Sequence, residues 1–170
     1  PLSLNDVTRA TFERMAATQA PDVAADMHAV AGHPPDSAAA ARLSARSPIY
    51  NSILHTTCVA TRLVAGHANN ALPQTARAVV NCRMLPQDPP EQVEAMLRAV
   101  VADTAVQVIP IDTATPSPPS PIAAEVFRPL ERITRQMWPG IPVIPTMETG
   151  ASDGLFLRNA GMPVYGVSGV

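Results

Sequence analysis

The stretch TTCVATRLVAGHANNALPQTARAVVNCRMLP, residues 56–86, decides how the centre of this chain folds. Two runs rich in Val, Thr and Cys, Thr56–Leu63 and Ala76–Leu85, flank a polar loop that contains GHANN and then ALP. β-Prone runs separated by Gly, Asn and Pro are typical of an antiparallel hairpin. The sequence therefore predicts two paired strands joined by a long, specialised loop.

Two residues of this hairpin indicate chemistry as well as structure. Asn70 lies just before Leu72 and Pro73, where the proline restricts the chain to extended geometry. Arg83 interrupts an apolar strand, where burying an unpaired guanidinium is costly. The expected cross-strand neighbour, Thr57, is neutral, and no acid lies two positions away on the same strand. We therefore predict that Arg83 meets an anion from outside the hairpin, and a structural salt bridge is one alternative.

The two cysteines of the chain lie one on each predicted strand. In a regular hairpin centred near Asn70, Cys58 and Cys82 fall opposite each other, and directly opposed strand residues can approach disulfide distance. Two buried free thiols are the other interpretation, and the one we favour. Because two cysteines do not fix the compartment, localisation stays open: cytoplasmic by default, periplasmic or secreted if the pair is oxidised.

Composition excludes several classes of protein. With 46% hydrophobic and 15% charged residues, the 170-residue chain is globular rather than disordered. The net charge of −2 gives no reason to expect nucleic acid or an anionic membrane as a partner. No apolar run approaches the roughly 18 residues of a membrane span. The chain starts at Pro1 without Met and stops after a strand-like run, so we interpret it as an excerpt of a longer polypeptide.

Helical patterns with capping residues lie on both sides of the hairpin. They predict helices that begin after Asn5 and run to about residue 15, then span 23–30, 38–46, 90–102, 122–138 and 155–159. Pro129 should kink the fifth of these helices or end its first segment. Short β-prone runs predict further strands at 106–111, 141–145 and 164–168.

This order of elements predicts an α/β chain in two parts. Residues 1–113 are predicted to form an α+β unit, an incomplete ferredoxin-like sandwich with extra helices. Their predicted order of strand, strand, helix and strand makes up most of the ferredoxin-like motif. A Pro/Ser-rich connector, Thr113–Pro121, follows it. Residues 114–170 then read as a fragment of a largely parallel αβα domain.

The hairpin and a later loop together resemble the di-zinc peptidase superfamily that includes aminoacylase, carboxypeptidase G and succinyl-diaminopimelate desuccinylase. NALP at 70–73 is similar to the Asn-x-[Ile/Leu]-Pro turn of that family's lid domain, and VNCR at 80–83 to the following strand with its inward Arg. ETGASDG at 148–154 resembles the Gly-x-Ser/Thr-Asp loop of its catalytic domain. The resemblance covers roughly residues 51–170, with the lid or dimerisation domain ending near residue 113.

The resemblance implies a zinc-dependent hydrolase of the carboxypeptidase, dipeptidase or aminoacylase type. Its substrate would be a small peptide or an N-acyl amino acid, and its amide bond would lie next to a free carboxylate. Two zinc ions would be held by residues outside this excerpt, so we name no metal ligand and no catalytic residue here. The four histidines agree with this, since none has a zinc-type spacing. The lid implies a homodimer.

The resemblance also assigns substrate-binding residues. Arg83 would hold a substrate carboxylate bidentately while Asn70 donates from the loop, and His67 lies in the same loop. The turn formed by Gly150, Ala151 and Ser152 would present backbone N–H groups to a carboxylate or an oxyanion. Ala151 and Leu155 stand where the desuccinylase has Thr and Arg, which argues against desuccinylase specificity.

Two interpretations remain open at this point. Glu148 and Asp153 could form a general-acid pair, but we favour Asp153 as the cap of the helix that follows and Glu148 as a residue that orders the loop. For the chain as a whole, the alternative to an enzyme is a non-catalytic ferredoxin-like module used for dimerisation or for binding a small ligand.

Overall fold

The computed structural model describes residues 2–168, and they form a mixed α/β chain. Its helices and strands follow one another in the order α1 (Asp6–Ala16), α2 (Pro21–Ala31), α3 (Ser37–Arg46), α4 (Pro48–Leu54), β1 (Thr57–Ala65), β2 (Ala76–Arg83), α5 (Pro90–Val101), α6 (Ala124–Met137) and α7 (Gly154–Asn159). The predicted helices are all present.

The N-terminal helices begin where their capping residues place them. Asn5 and Thr8 form a capping box at α1: the Asn5 side chain accepts from the Thr8 N–H at 2.9 Å, and the Thr8 hydroxyl accepts from the Asn5 N–H at 2.9 Å. Asp36 caps α3 by accepting from two backbone N–H groups. Local side-chain chemistry therefore fixes these boundaries.

A helix that the sequence reading missed precedes the hairpin. The sequence-based helices leave residues 47–51 unassigned, but Ser47 and Pro48 begin α4. Ser47 is its N-cap, and its side chain accepts from the Ile49 N–H at 3.2 Å. Pro48 occupies the first helical position, where its missing N–H costs nothing. The Ser-Pro pair was the available signal.

Helices α1 to α4 pack on one another around a hydrophobic core. Its buried members come from all four helices: Phe12, Ala16, Val23, Met27, Val30, Ala39, Ala40, Leu43, Ile53 and Leu54. The Phe12 ring also meets the Tyr50 ring edge-on, with centroids 6.1 Å apart. These four helices are thus a packed bundle in their own right.

Strands β1 and β2 pair antiparallel, as predicted. The register sets Thr57 opposite Arg83 and Cys58 opposite Cys82, and it shifts between Ala60 and Arg62. A disulfide joins Cys58 to Cys82, so the expectation of two buried free thiols was wrong. The reason is that directly opposed residues project from the same face of the hairpin, with Cα atoms 4.1 Å apart here.

The three further strands that were predicted do not form in residues 2–168. Segments 106–111, 141–145 and 164–168 lie outside any strand. A strand needs a backbone partner along its edge, and among the described residues only β1 and β2 form a sheet. Side chains hold two of the segments instead. The Thr11 hydroxyl donates to the Pro145 carbonyl at 2.7 Å, and the Ser120 hydroxyl donates to the Val164 carbonyl at 2.7 Å.

The expected ferredoxin-like sandwich is likewise not formed by the described residues. Helix α5 has no buried residue, and its apolar side chains stay open to solvent, with Met96 at 47% and Val100 at 74% exposure. Helix α6 continues through Pro129, which therefore does not end it. The α/β class is confirmed, whereas the sheet that residues 2–168 form has two strands.

Candidate functional site

The hairpin places its candidate residues at opposite ends. Asn70 and His67 lie in the loop between β1 and β2, and both are exposed. Arg83 is the last residue of β2. The seven residue steps from Ala76 to Arg83 span about 23 Å at roughly 3.3 Å per residue. Asn70 therefore belongs to the loop end of the hairpin and Arg83 to its base, and the binding of one carboxylate by both residues stays a prediction.

The Arg83 side chain is free to meet a ligand. It is exposed rather than buried, contrary to the sequence-based expectation. Within residues 2–168 no hydrogen bond or ion pair engages its guanidinium, and the residue opposite, Thr57, is neutral. A structural salt bridge is therefore not formed in this part of the chain.

The backbone on both sides of Arg83 is tied down. We call this region the hairpin base, residues 56–58 with 82–85. On one side of Arg83 the disulfide joins Cys82 to Cys58. On the other side the Leu85 N–H donates to the Thr56 hydroxyl at 2.9 Å, and that hydroxyl donates to the Asp88 carboxylate at 2.6 Å. The exposed Arg83 side chain thus stands on a backbone that is held on both sides.

The loop at residues 150–152 is exposed and leads into α7. Asp153 holds the N-cap position of that helix, but its side chain makes no capping hydrogen bond, so the expected cap was wrong. The cause is its helical backbone, with φ −63° and ψ −12°, whereas a capping residue is extended. Glu148 is also exposed.

Arg158 of α7 lies close to this loop. A Cβ added at the buried Gly154 would stand 2.9 Å from Arg158 Nη1 and 3.2 Å from Ser152 Oγ. The guanidinium donates to Ser117 Oγ at 3.0 and 3.2 Å, and so fastens the Pro/Ser-rich connector to α7. Only tertiary packing could reveal this position.

Helix α1 reaches the C-terminal part of the chain through Arg14. One guanidinium nitrogen donates to the Glu131 carboxylate and to the Val143 carbonyl, each at 2.9 Å. The same guanidinium stands 5.8 Å from the centroid of the Phe127 ring. The sequence boundary predicted near residue 113 is thus bridged by contacts in space.

Shifted pKa values lie on the helical bundle, away from the candidate residues. Hydrogen bonds from Arg42 hold the pKa of Asp26 below its ordinary range. A hydrogen bond from Arg46 does the same for the pKa of Asp22. Both pairs join α2 to α3 at the surface. They are contributions to the fold rather than signs of catalysis.

The described residues offer no site for a metal ion. Within residues 2–168 there is no group of three or more His, Cys, Asp or Glu side chains that could hold one. The donor sets of structural and catalytic zinc need at least three such side chains. In the same range, no helix is long and apolar enough to cross a membrane.

Comparison with known proteins identifies the central part of the chain. The model of the peptidase dimerisation domain matches residues 13–108, more than half of the chain. The match runs from α1 through the bundle and the hairpin to the segment after α5.

Several curated proteins are similar over most of this chain. N-fatty-acyl-amino acid synthase/hydrolase PM20D1 of Xenopus tropicalis is 29% identical over 130 residues, 76% of this chain and 25% of that protein. Its Mus musculus counterpart is 30% identical over 105 residues, 61% of this chain and 21% of that protein. Probable carboxypeptidase S-like 2 of Dictyostelium discoideum is 26% identical over 113 residues, 66% of this chain and 22% of that protein.

The matches cover a limited part of the relatives. The chain spans about a quarter of the length of these proteins. No solved structure matches the chain.

Proposed function

The chain belongs to the peptidase dimerisation domain family, and we propose on this basis that it is part of a metallopeptidase or amidohydrolase. The family match over residues 13–108 is the observation that carries the proposal. The substrate would have a peptide or N-acyl amide bond next to a free carboxylate. The names of the relatives, an N-fatty-acyl-amino acid synthase/hydrolase and a probable carboxypeptidase S-like protein, support this substrate class.

Arg83 is proposed to bind the substrate carboxylate. Its guanidinium is exposed and has no partner within residues 2–168. A guanidinium presents two parallel N–H donors, which match the two oxygens of a carboxylate. Because no side chain of residues 2–168 pairs with the Arg83 guanidinium, binding an anion breaks no contact within this part of the chain. The position of Arg83 on β2 therefore suits recognition of an anion.

The loop residues Asn70 and His67 are proposed to act on a substrate bound by a second copy of the chain. Strand β2, which separates their loop from Arg83, spans about 23 Å at roughly 3.3 Å per residue. A substrate that meets both ends would therefore take Arg83 from one copy and Asn70 from the other. A homodimer through this domain agrees with the name of the family.

The turn at Gly150, Ala151 and Ser152 is proposed as a second polar contact for the substrate. It is exposed, and the Arg158 guanidinium beneath it supplies a positive charge close to the turn. Backbone N–H groups beside a fixed cation suit an oxyanion or a carboxylate.

The zinc ions of such an enzyme do not fit the residues described here. Because residues 2–168 contain no cluster of three donor side chains, we assign none of them to a metal. Two zinc ions in the whole protein, held by residues elsewhere, remain a proposal. The chain's own contribution is to bind and orient the substrate.

The disulfide is relevant to the compartment in which the protein acts. A bond between Cys58 and Cys82 persists in an oxidising environment, such as the periplasm or the outside of the cell. We propose one of these compartments.

Replacement of Arg83 by Lys tests the substrate-binding role. Arg83→Lys keeps the charge but loses the pair of parallel N–H donors that binds a carboxylate bidentately. For an N-acyl amino acid, kcat/KM of the full-length protein should therefore fall about 30-fold, or ~2 kcal/mol. The melting temperature should stay within about 1 °C, because a surface substitution without partners barely affects folding.

Arg77→Lys is the matched control. Arg77 is another exposed arginine on β2, six residues earlier, and its replacement should leave kcat/KM within about twofold. If Arg83→Lys lowers stability and leaves the kinetics unchanged, Arg83 is structural and the assignment is wrong.

A further inference from the structure

The hairpin that carries Arg83 lacks the usual means of fixing its register. Both strands are exposed along nearly their whole length on both faces of the two-stranded sheet. Burial of one face normally specifies register, and a slip of one residue would turn every side chain to the opposite face. An isolated two-stranded hairpin is also marginally stable in water.

The hairpin base fixes the strand register that packing leaves unspecified. Cys58 and Cys82 are directly opposed and covalently joined, and the neighbouring pair in the register is Thr57 with Arg83. Just past Arg83 in the chain, the Leu85 N–H donates to the Thr56 hydroxyl, and that hydroxyl donates to the Asp88 carboxylate. The disulfide therefore fixes the face from which Arg83 projects, and the threonine fixes the strand just past it.

The register shift strengthens this interpretation. It lies between Ala60 and Arg62, on the loop side of the disulfide. The disulfide separates that part of the hairpin from Arg83.

We propose that Cys58 and Cys82 are positioning residues for Arg83: their disulfide holds the guanidinium in the geometry that a substrate carboxylate requires. The inference rests on the proposed function of Arg83. Preorganisation of this kind improves binding because less order has to be imposed when the ligand arrives. Without the disulfide, Arg83 keeps its charge but spends part of its time displaced or on the wrong face.

A double-mutant cycle in the full-length protein tests the proposal. We compare wild type, C58A/C82A, Arg83→Ala and the triple variant, and measure kcat and KM for an N-acyl amino acid. C58A/C82A should lower kcat/KM about tenfold, mainly through a higher KM, because a displaced contact group weakens binding. In the Arg83→Ala background, loss of the cysteines should have no further effect.

Thr61→Val is the matched control. Thr61 donates to the Val79 carbonyl at 3.3 Å, in the outer half of the hairpin. Its loss disturbs the same two strands but leaves the disulfide intact, so kcat/KM should stay within about twofold.

The outcomes separate the two proposals. If Arg83→Ala lowers kcat/KM while C58A/C82A has no effect, or an equal effect in both backgrounds, the positioning role is overturned and the function of Arg83 stands. If Arg83→Ala itself has no effect, the proposed role of Arg83 fails and the inference falls with it.

Chemical reduction provides a second route if C58A/C82A does not fold. A phosphine gives the wild-type disulfide two electrons and takes oxygen from water to become its oxide, while the two sulfurs gain two protons. Alkylation of both thiols then prevents re-oxidation. Reduced wild type should show the same rise in KM, and an unchanged KM would overturn the positioning role.

Discussion

Replacement of Phe12 by Ala should destabilise the chain more than any surface substitution. Phe12 lies in α1 with none of its surface exposed, at the centre of the helical bundle. It belongs to the core cluster to which all four N-terminal helices contribute, and its ring meets the Tyr50 ring edge-on with centroids 6.1 Å apart. The substitution removes the buried ring and leaves a cavity in the bundle.

The expected size follows from these contacts. A buried Phe→Ala change costs about 3–5 kcal/mol, and loss of an edge-to-face ring pair accounts for ~1 kcal/mol of interaction beyond the buried area. We expect a loss of about 4 kcal/mol in the free energy of unfolding. For a chain of this size that lowers the melting temperature by roughly 10 °C.

Phe156→Ala is the matched control for this prediction. Phe156 lies in α7 and is 64% exposed, so the same chemical change should cost less than about 1 kcal/mol. Guanidinium unfolding followed by circular dichroism measures both variants under one condition. If the two lose the same amount, or if Phe12→Ala loses less than about 1 kcal/mol, the bundle core described here is wrong.

Two further predictions concern the helices. Asn5→Ala removes the capping box of α1 and should lower the free energy of unfolding, measured in urea, by ~1 kcal/mol. Asp153→Ala is the control, because Asp153 holds an N-cap position without a capping hydrogen bond, and it should cost less than ~0.5 kcal/mol. Equal losses would contradict the capping assignment. Asp26, whose pKa the Arg42 hydrogen bonds lower from an ordinary 3.8, contributes stability that is present above that value and is lost as pH falls through the lower folded value. The difference in urea midpoint between wild type and Asp26→Asn should therefore shrink below about pH 4, and a constant difference down to pH 2 would contradict it.

Local chemistry explains why the helices could be predicted from the sequence. The caps at Asn5 and Asp36 and the proline at Pro90 act within a few residues of where they stand. The hairpin was predictable for the same reason, since its two runs lie close together in the chain. The Ser47-Pro48 start of α4 carried the same kind of signal and was overlooked.

Strands and sites depend on partners that are distant in the sequence. Segment 141–145 has strand-like composition, but in the described residues α1 side chains hold it rather than a neighbouring strand. The exposure of Arg83, the position of Arg158 under its loop and the oxidation of Cys58 all follow from the tertiary structure. Motif spacing selected the candidate residues but did not place them relative to one another.

The most direct test of the central claim is the preference of the full-length protein for a free carboxylate. We would measure kcat/KM for an N-fatty-acyl amino acid and for its carboxamide, in wild type and in Arg83→Lys. Wild type should prefer the acid by about 30-fold or more, and Arg83→Lys should lose most of that preference, because the site is built to pair with the carboxylate. Failure to hydrolyse the acid, or an unchanged preference in Arg83→Lys, would contradict the account.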